Sequence, residues 1–336
     1  MKDLPTISIV IPTYNSEKVL PLCLESIKKQ EYPKTKIELI VADGGSIDKT
    51  LDVAKEYTDK IFENKLKTGE AGKAVGIKHS TGEIIAFIDS DNILPSKDWL
   101  SKMVKPFEDE EIAGSEPLFY TYRKEDGYIT RYCALIGMND PLCLFFGNYD
   151  RYCYITNKWT GIPVEEEDKG SFLKVKLNEK KLPTIGANGF LVRRSLLKKY
   201  SVGDYLFDID LVYELVNHGH DKFAKVKVGI VHLFSGNFGT FIKKQRRRIK
   251  DFSYYKQKKV RKYPWSSFSK LKLLKFGLYT ILLLPLLVQS IKGWFRKKDC
   301  VWLFHIAACW ATLVVYSIGR VQNIIFEPKI EDRSKW

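Results

Sequence analysis

Two carboxylates one residue apart close an apolar run: Ile84-Ile85-Ala86-Phe87-Ile88 breaks into Asp89-Ser90-Asp91-Asn92. Like charges at this spacing repel, and neither Ser90 nor Asn92 neutralises them. Oxygen ligands so placed suit Mg²⁺ or Mn²⁺ bound jointly with substrate phosphates, because Mg²⁺ is usually held by one or two carboxylates plus phosphate and water. A solvated acidic turn is the alternative that the triplet alone leaves open. Two other acidic stretches stand out, one at a strand end and one at the start of a helical run. Asp43 precedes Gly44-Gly45-Ser46, and Asp208-Ile209-Asp210 precedes an amphipathic run.

The elements around these residues alternate. Strands are expected over 6–12, 36–43, 59–64 and 83–90, and helices over 15–30, 46–57 and 70–80, with Asn15 or Ser16 capping the first helix and Ser46 the second. Such alternation gives an α/β fold, a doubly wound, mostly parallel sheet with helices on both faces. Ligands bind such sheets outside the carboxyl ends of the strands. The segments Pro12-Thr13-Tyr14-Asn15, Asp43-Gly44-Gly45-Ser46 and Asp89-Ser90-Asp91 therefore share one edge.

Residues 116–165 are rich in aromatics and nearly aperiodic. Order returns over 182–235, with a small-residue turn "TIGANGF", a helix from Arg194, the run "GDYLFDIDLVYELVNHGH" and a strand "FAKVKVGIVHLF". Charge is then concentrated. The 336 residues carry 55 Lys and Arg against 40 Asp and Glu. Fourteen of those bases lie between Lys243 and Lys275, facing a single acid, Asp251. Such an excess points to an anionic partner: nucleic acid, a membrane surface or a phosphorylated substrate.

Two apolar stretches follow, Phe276–Ile291 and Cys300–Gly319. The second has the length of a bilayer span, roughly 20 residues, and the first sits near the lower limit of about 17 and contains Pro285. Lipid directly downstream of the bases favours a membrane over nucleic acid as their partner. None of the six cysteines forms a CxxC pair, so no zinc site is expected. No signal-peptide pattern precedes the first strand.

"IVIPTYNSEKVLPLCLESI", "LIVADGGSIDKT" and "STGEIIAFIDSDN", in this order and spacing, resemble the family 2 glycosyltransferases, which have the GT-A fold. The resemblance covers roughly residues 5–250. It implies a UDP- or GDP-linked sugar donor, a Mn²⁺ or Mg²⁺ ion at Asp89 and Asp91, and inversion at the anomeric carbon. Pro12, Thr13, Tyr14, Asn15 and Glu17 match the nucleotide-facing first loop. Asp43 matches the acid that reads the nucleobase, with Gly44 and Gly45 allowing close approach. Lys73 stands where the family usually has Arg, Ala74 where it often has Asn, and Ser90 completes the metal-binding triplet. "YLFDIDLVYELVNHG" resembles the Glu-Asp-x-Asp-Leu stretch, with Phe207 replacing the Glu. Asp208 matches the acid that deprotonates the acceptor, and Asp210 is expected to orient the acceptor or cap the helix. Asn188 and Gly189 fall in the acceptor-side loop. His232 matches a histidine that approaches the metal or diphosphate. "QRRRI" partly resembles the Gln-x-x-Arg-Trp motif, so Gln245, Arg246 and Arg248 are candidates for a diphosphate clamp, with Ile249 in place of the Trp.

The expected organisation is a catalytic domain over 1–240 with an acceptor-side insertion at 116–181. A basic interfacial segment at 241–275, a membrane-embedded helix pair at 276–320 and a polar tail at 321–336 complete it. The expected activity is metal-dependent transfer of a sugar to a lipid-linked acceptor at the cytoplasmic face of a membrane. The acceptor is a sugar on a polyprenyl diphosphate or, alternatively, a polyprenyl phosphate. A nucleotidyltransferase would show a Gly-rich loop with basic residues after the first strand, and "PTYNSE" is not one. A non-catalytic basic membrane-binding module would not need acids at 43, 89, 91 and 208.

Overall fold

The computed structural model describes residues 4–200, 203–263 and 269–326. Part of the basic segment (264–268) and the last ten residues of the polar tail lie outside the described residues. In chain order the elements are β1 (Ile7–Thr13), α1 (Leu20–Lys28), β2 (Ile37–Asp43), α2 (Thr50–Lys55), β3 (Ile61–Glu63), α3 (Gly69–His79), β4 (Ile84–Phe87), β5 (Asn92–Ile93), α4 (Trp99–Val104), β6 (Gly114–Tyr120), α5 (Tyr128–Ile136) and α6 (Leu142–Phe146). There follow β7 (Glu165–Asp168), β8 (Phe172–Lys176), β9 (Phe190–Arg193), α7 (Arg194–Lys199), α8 (Asp208–Asn217), β10 (Lys222–His232), α9 (Phe238–Lys258), α10 (Lys270–Leu282), α11 (Leu284–Arg296) and α12 (Phe304–Ile325). They form two compact units, residues 1–121 with 163–232, and residues 122–162 with 233–336.

The first unit is built on one sheet in the order β3-β2-β1-β4-β9-β6-β10-β8-β7, with β5 on β10. Its β3-β2-β1-β4 half is parallel, and β9 runs antiparallel between β4 and β6. β1 is buried throughout because α3 lies directly on it. A Cβ at Gly76 would fall 2.1 Å from Val10 Cγ1, so this position accepts only glycine without displacing the helix. Two helices begin later than the sequence suggests. Residues 15–19 turn around the strand end before Pro21 enters the first turn of α1, a position where its missing N–H costs nothing. Asp48 accepts from Thr50 N at 3.0 Å and sets the start of α2.

The second unit is helical. Tyr132, Phe241, Trp302, Phe304 and Ala308 belong to one buried cluster joining α5, α9 and the chain leading into α12. α11 meets Trp302 at Gly293, where a Cβ would lie 2.6 Å from the indole. The aromatic stretch read as an insertion is thus divided between the units. Five of its rings are core: Tyr120, Tyr132, Phe145, Tyr149 and Trp159 are buried. These five are spent on packing.

The first apolar stretch is not one helix. α10 and α11 meet at 90°, broken at Leu283 with φ +59 ahead of Pro285. Among the described residues one helical segment, Cys300–Ile325, is long and apolar enough to cross a membrane, and a third of its most apolar window is buried.

Candidate active site

The carboxyl ends of β1, β2 and β4 meet in the first unit, as parallel register requires: Thr13 is the partner of Asp43, and Val10 of Phe87. Thr13 Oγ1 donates to Asp43 Oδ1 at 2.9 Å. The same carboxylate accepts from Ser46 Oγ at 2.6 Å, Gly45 N at 2.9 Å and Ser46 N at 2.8 Å. A carboxylate has about four acceptor sites, so Asp43 is fully used in shaping its own loop.

The first loop is pinned to that turn. Asn15, at φ +47, donates its N–H to Ser46 Oγ at 2.8 Å and accepts from Ile47 N at 3.0 Å. Glu17 accepts from Lys49 N at 3.2 Å. Gly44 lets Tyr14 close in, since a Cβ there would lie 3.1 Å from the Tyr14 ring. Ser16 Oγ lies 3.1 Å from Ser90 Oγ and ties the loop to the Asp89–Asp91 turn.

That turn is organised by Asn92, a residue the sequence reading passed over. Its Oδ1 accepts from Asp89 N at 3.1 Å, and its Nδ2 donates to Asn188 Oδ1 at 3.1 Å. Asn188 in turn donates to Tyr120 Oη at 3.1 Å. Asn188 thus ties the acidic turn to β6. Gly189 adopts φ +87, and a Cβ there would strike Ile230 Cδ1 at 2.7 Å. β5 pairs Asn92 with His232, the last residue of β10. This brings His232 Nε2 to 3.4 Å from Asp91 Oδ2. Cys23 lies beneath, its thiol pushed up by burial and then by the charges of Asp91 and Asp89.

Lys73 and Asp208 complete the group. Lys73 sits on α3, which Thr68 caps through Ala71 N at 3.1 Å. The lysine is buried, with Nζ 2.7 Å from Asp208 Oδ1 and 3.8 Å from Asp89 Oδ1. Asp208 opens α8, where an acid is favoured by the helix dipole. Burial raises its carboxyl to about 6, Lys73 opposing and Asp89 adding to the rise. Burial lowers Lys73, but the charges of Asp208 and Asp89 outweigh it and the ammonium ends above its ordinary range. Asp210 is buried in the first turn of α8.

Three carboxylates, one ammonium and one imidazole thus gather in the first unit. Among the described residues no three His, Cys, Asp or Glu side chains gather closely enough to hold a metal ion. The donors that do meet are Asp91 and His232. Gln245, Arg246 and Arg248 belong to the second unit. Gln245 is buried, donating to Asn139 O at 3.0 Å and accepting from Tyr316 Oη at 3.1 Å. Arg248 donates to Asn139 O at 2.7 Å. These two side chains join α9 to α12 and to the loop before α6. Arg246 is exposed.

The chain resembles known proteins in sequence and fold. Residues 8–201 match the pattern of glycosyl transferase family 2. The chain is 35% identical over 107 residues to the glycosyltransferase AglE of Haloferax volcanii, covering 30% of this chain and 35% of that protein. It is 40% identical over 118 residues to the dolichyl N-acetyl-α-D-glucosaminyl phosphate 3-β-D-2,3-diacetamido-2,3-dideoxy-β-D-glucuronosyltransferase of Methanococcus voltae, covering 33% of this chain and 36% of that protein. Both matches span little more than a third of the relative's length. The mannosyltransferase PcManGT of Pyrobaculum calidifontis, solved with GDP-Man and Mn²⁺, has the same GT-A fold. It superposes with TM-score 0.54 at 16% identity, over 94% of this chain and 88% of that one. With more than half its length inside the family pattern, the chain belongs to glycosyl transferase family 2.

Proposed function

We propose that this glycosyltransferase moves a sugar, with inversion, from a UDP- or GDP-linked donor to a sugar carried on a polyprenyl diphosphate. The observation that carries the reading is the position of Lys73, one ammonium within 4 Å of both Asp208 and Asp89. It joins a carboxylate raised to about 6 to the acidic turn at the end of β4. In the reaction the acceptor hydroxyl oxygen bonds to the anomeric carbon from the face opposite the diphosphate. The bond from that carbon to the diphosphate oxygen breaks, and the hydroxyl proton passes to Asp208. Lys73 offsets charge on Asp208 before the proton arrives.

Asp91 and His232 are a donor set that suits a divalent ion, carboxylate oxygen and imidazole nitrogen facing each other, with Asp89 adjacent. Two protein donors fit an ion whose remaining ligands are donor phosphates and water. Such an ion, when bound, neutralises charge on the departing diphosphate. The Mn²⁺ and GDP-Man of the Pyrobaculum neighbour support this assignment.

A lipid-linked acceptor is supported by the dolichyl-linked substrate named for the Methanococcus relative. It is also supported by the second unit's own surface. Leu282, Leu283 and Leu284 are exposed at the apex between α10 and α11. Lys270, Lys272 and Lys275 stand at the outer end of one helix, Lys292, Arg296 and Lys298 at the outer end of the other, all exposed. A bent pair dipping into one leaflet puts both basic ends at the same anionic surface. Two full spans would carry the second cluster across, against the positive-inside rule. Both clusters and the catalytic unit then belong at the cytoplasmic face. The test is mass spectrometry of the lipid fraction after incubating membranes with a panel of nucleotide-sugars. The expected product is a polyprenyl diphosphate glycan heavier by one sugar. Transfer to soluble glycans alone would overturn the acceptor assignment.

A further inference from the structure

Lys225 and Glu116 are register partners on β10 and β6. Both side chains are wholly inaccessible to solvent, with Nζ 2.5 Å from Oε2. Withdrawing two charges from water is costly, and apolar residues of similar volume often serve stability as well or better. The other oxygen of Glu116 suggests what the pair does instead. Oε1 accepts from Gly186 N at 2.8 Å. Gly186 has φ +123, and a Cβ there would lie 2.9 Å from Asp208 O and 3.0 Å from Asp208 Cβ. The peptide that Glu116 grips is the surface on which Asp208 rests. Four residues along β6, on the same face, Tyr120 accepts from Asn188. One strand face therefore holds loop 184–189 at two points, between the acidic turn and α8.

We infer that Glu116, paired with Lys225, is a positioning residue for Asp208: through the Gly186 peptide it sets where the base carboxylate stands relative to Lys73. The inference rests on the reading of Asp208 as the base. Misplacement of a catalytic group by about 1 Å can cost about 100-fold in rate, which is reason enough to keep a charge pair whose contribution to stability an apolar pair could match.

The test uses the full chain in detergent micelles, with Mn²⁺ and whichever of UDP-glucose or GDP-mannose is hydrolysed faster. Glu116→Leu/Lys225→Met removes both charges and the acceptor while keeping volume. We expect kcat to fall about 10- to 100-fold with nucleotide affinity within about twofold. Glu116→Gln/Lys225→Met keeps an acceptor for Gly186 N and should stay within about threefold of the wild type. In an Asp208→Asn background the Leu/Met pair should cost nothing further, because both changes act through one group. Full turnover by the Leu/Met protein, or a loss that multiplies with that of Asp208→Asn, would overturn the inference. If Asp208→Asn alone costs nothing, the base reading fails, and positioning is then judged by amide exchange. Peptides covering 184–189 and 206–210 should exchange at least about tenfold faster in the Leu/Met protein and recover in the Gln/Met protein. Unchanged exchange overturns the proposal on its own.

Discussion

Lys73 Nζ stands 2.7 Å from Asp208 Oδ1 and 3.8 Å from Asp89 Oδ1, so one buried ammonium serves two carboxylates that lie 119 positions apart in the chain. The two acids compete for it. Asp208 is raised to about 6 by burial, and Lys73 is what keeps it from rising further. A general base works ionised, so kcat/KM should increase with pH through about 6 and level off above.

Lys73→Met removes the opposing charge. The ascending limb should then move to higher pH, and activity at pH near 6 should fall more than at pH near 8. Lys73→Arg keeps the charge and should keep the profile. Donor hydrolysis followed across this range checks both. A Lys73→Met profile that only drops in height, with no sideways shift, would separate Lys73 from the base.

Chelation gives the second prediction. EDTA should abolish transfer, and Mn²⁺ or Mg²⁺ should restore it. Asp91→Ala should weaken nucleotide binding as well as turnover, since a ligand to the donor's ion acts in the ground state too. His232→Ala should reduce affinity measured with Mn²⁺ more than with Mg²⁺, because imidazole suits transition metals while Mg²⁺ prefers oxygen. Equal losses with the two ions would remove His232 from the ligand set.

The strand ends of this site were legible because apolar runs and turn residues alternate cleanly through residue 90. The residues that join them were not. Asn92, Asn188 and Tyr120 form a hydrogen-bonded chain across three segments, and no local pattern marks a side chain whose partners are about 70 to 100 positions away. Lys225 looks like one more exposed lysine in "FAKVKVGIV", and only the register of β10 on β6 reveals its burial. Gln245 and Arg248 carried a motif resemblance, and nothing local to that motif marks their bonds to Asn139 and Tyr316. The break at Leu283 had two visible signals, Pro285 and a length at or below the lower limit of a span, about 17 residues.

Membrane attachment is best tested by point changes. Cutting the chain after Tyr263 would strip Val301, Trp302, Phe304 and Ala308 from the core they share with Tyr132 and Phe241. Such a truncation should aggregate, and its location would say nothing of lipid. Leu282→Glu/Leu284→Glu instead charges the exposed apex and leaves that core intact. Each charge in the hydrocarbon core costs about 2.5–3.5 kcal/mol. Binding of the purified protein to anionic vesicles should weaken markedly, with the melting temperature unchanged. Undiminished binding would mean that the apex is not inserted.

Asp208 separates the two acceptor classes. A sugar hydroxyl must lose its proton as it attacks, and a positioned carboxylate typically contributes about 10²–10⁴-fold. Asp208→Asn keeps size and can still bond Lys73 through its oxygen, but it cannot take the proton. With a sugar on polyprenyl diphosphate as acceptor, turnover should fall by about that factor while donor affinity barely changes. A polyprenyl phosphate is already ionised at neutral pH and needs little help, so the same change should then cost less than about tenfold. The Lys73 contact adds a second reading of the same variant. Asparagine leaves the ammonium with a weaker partner, so it should lean toward Asp89 and the donor phosphates, and nucleotide affinity should hold or rise slightly. Steady-state kinetics with each acceptor, beside nucleotide titration of the variant, resolve the two cases. A large fall in nucleotide affinity with turnover intact would place Asp208 on the donor side and end its assignment as the base.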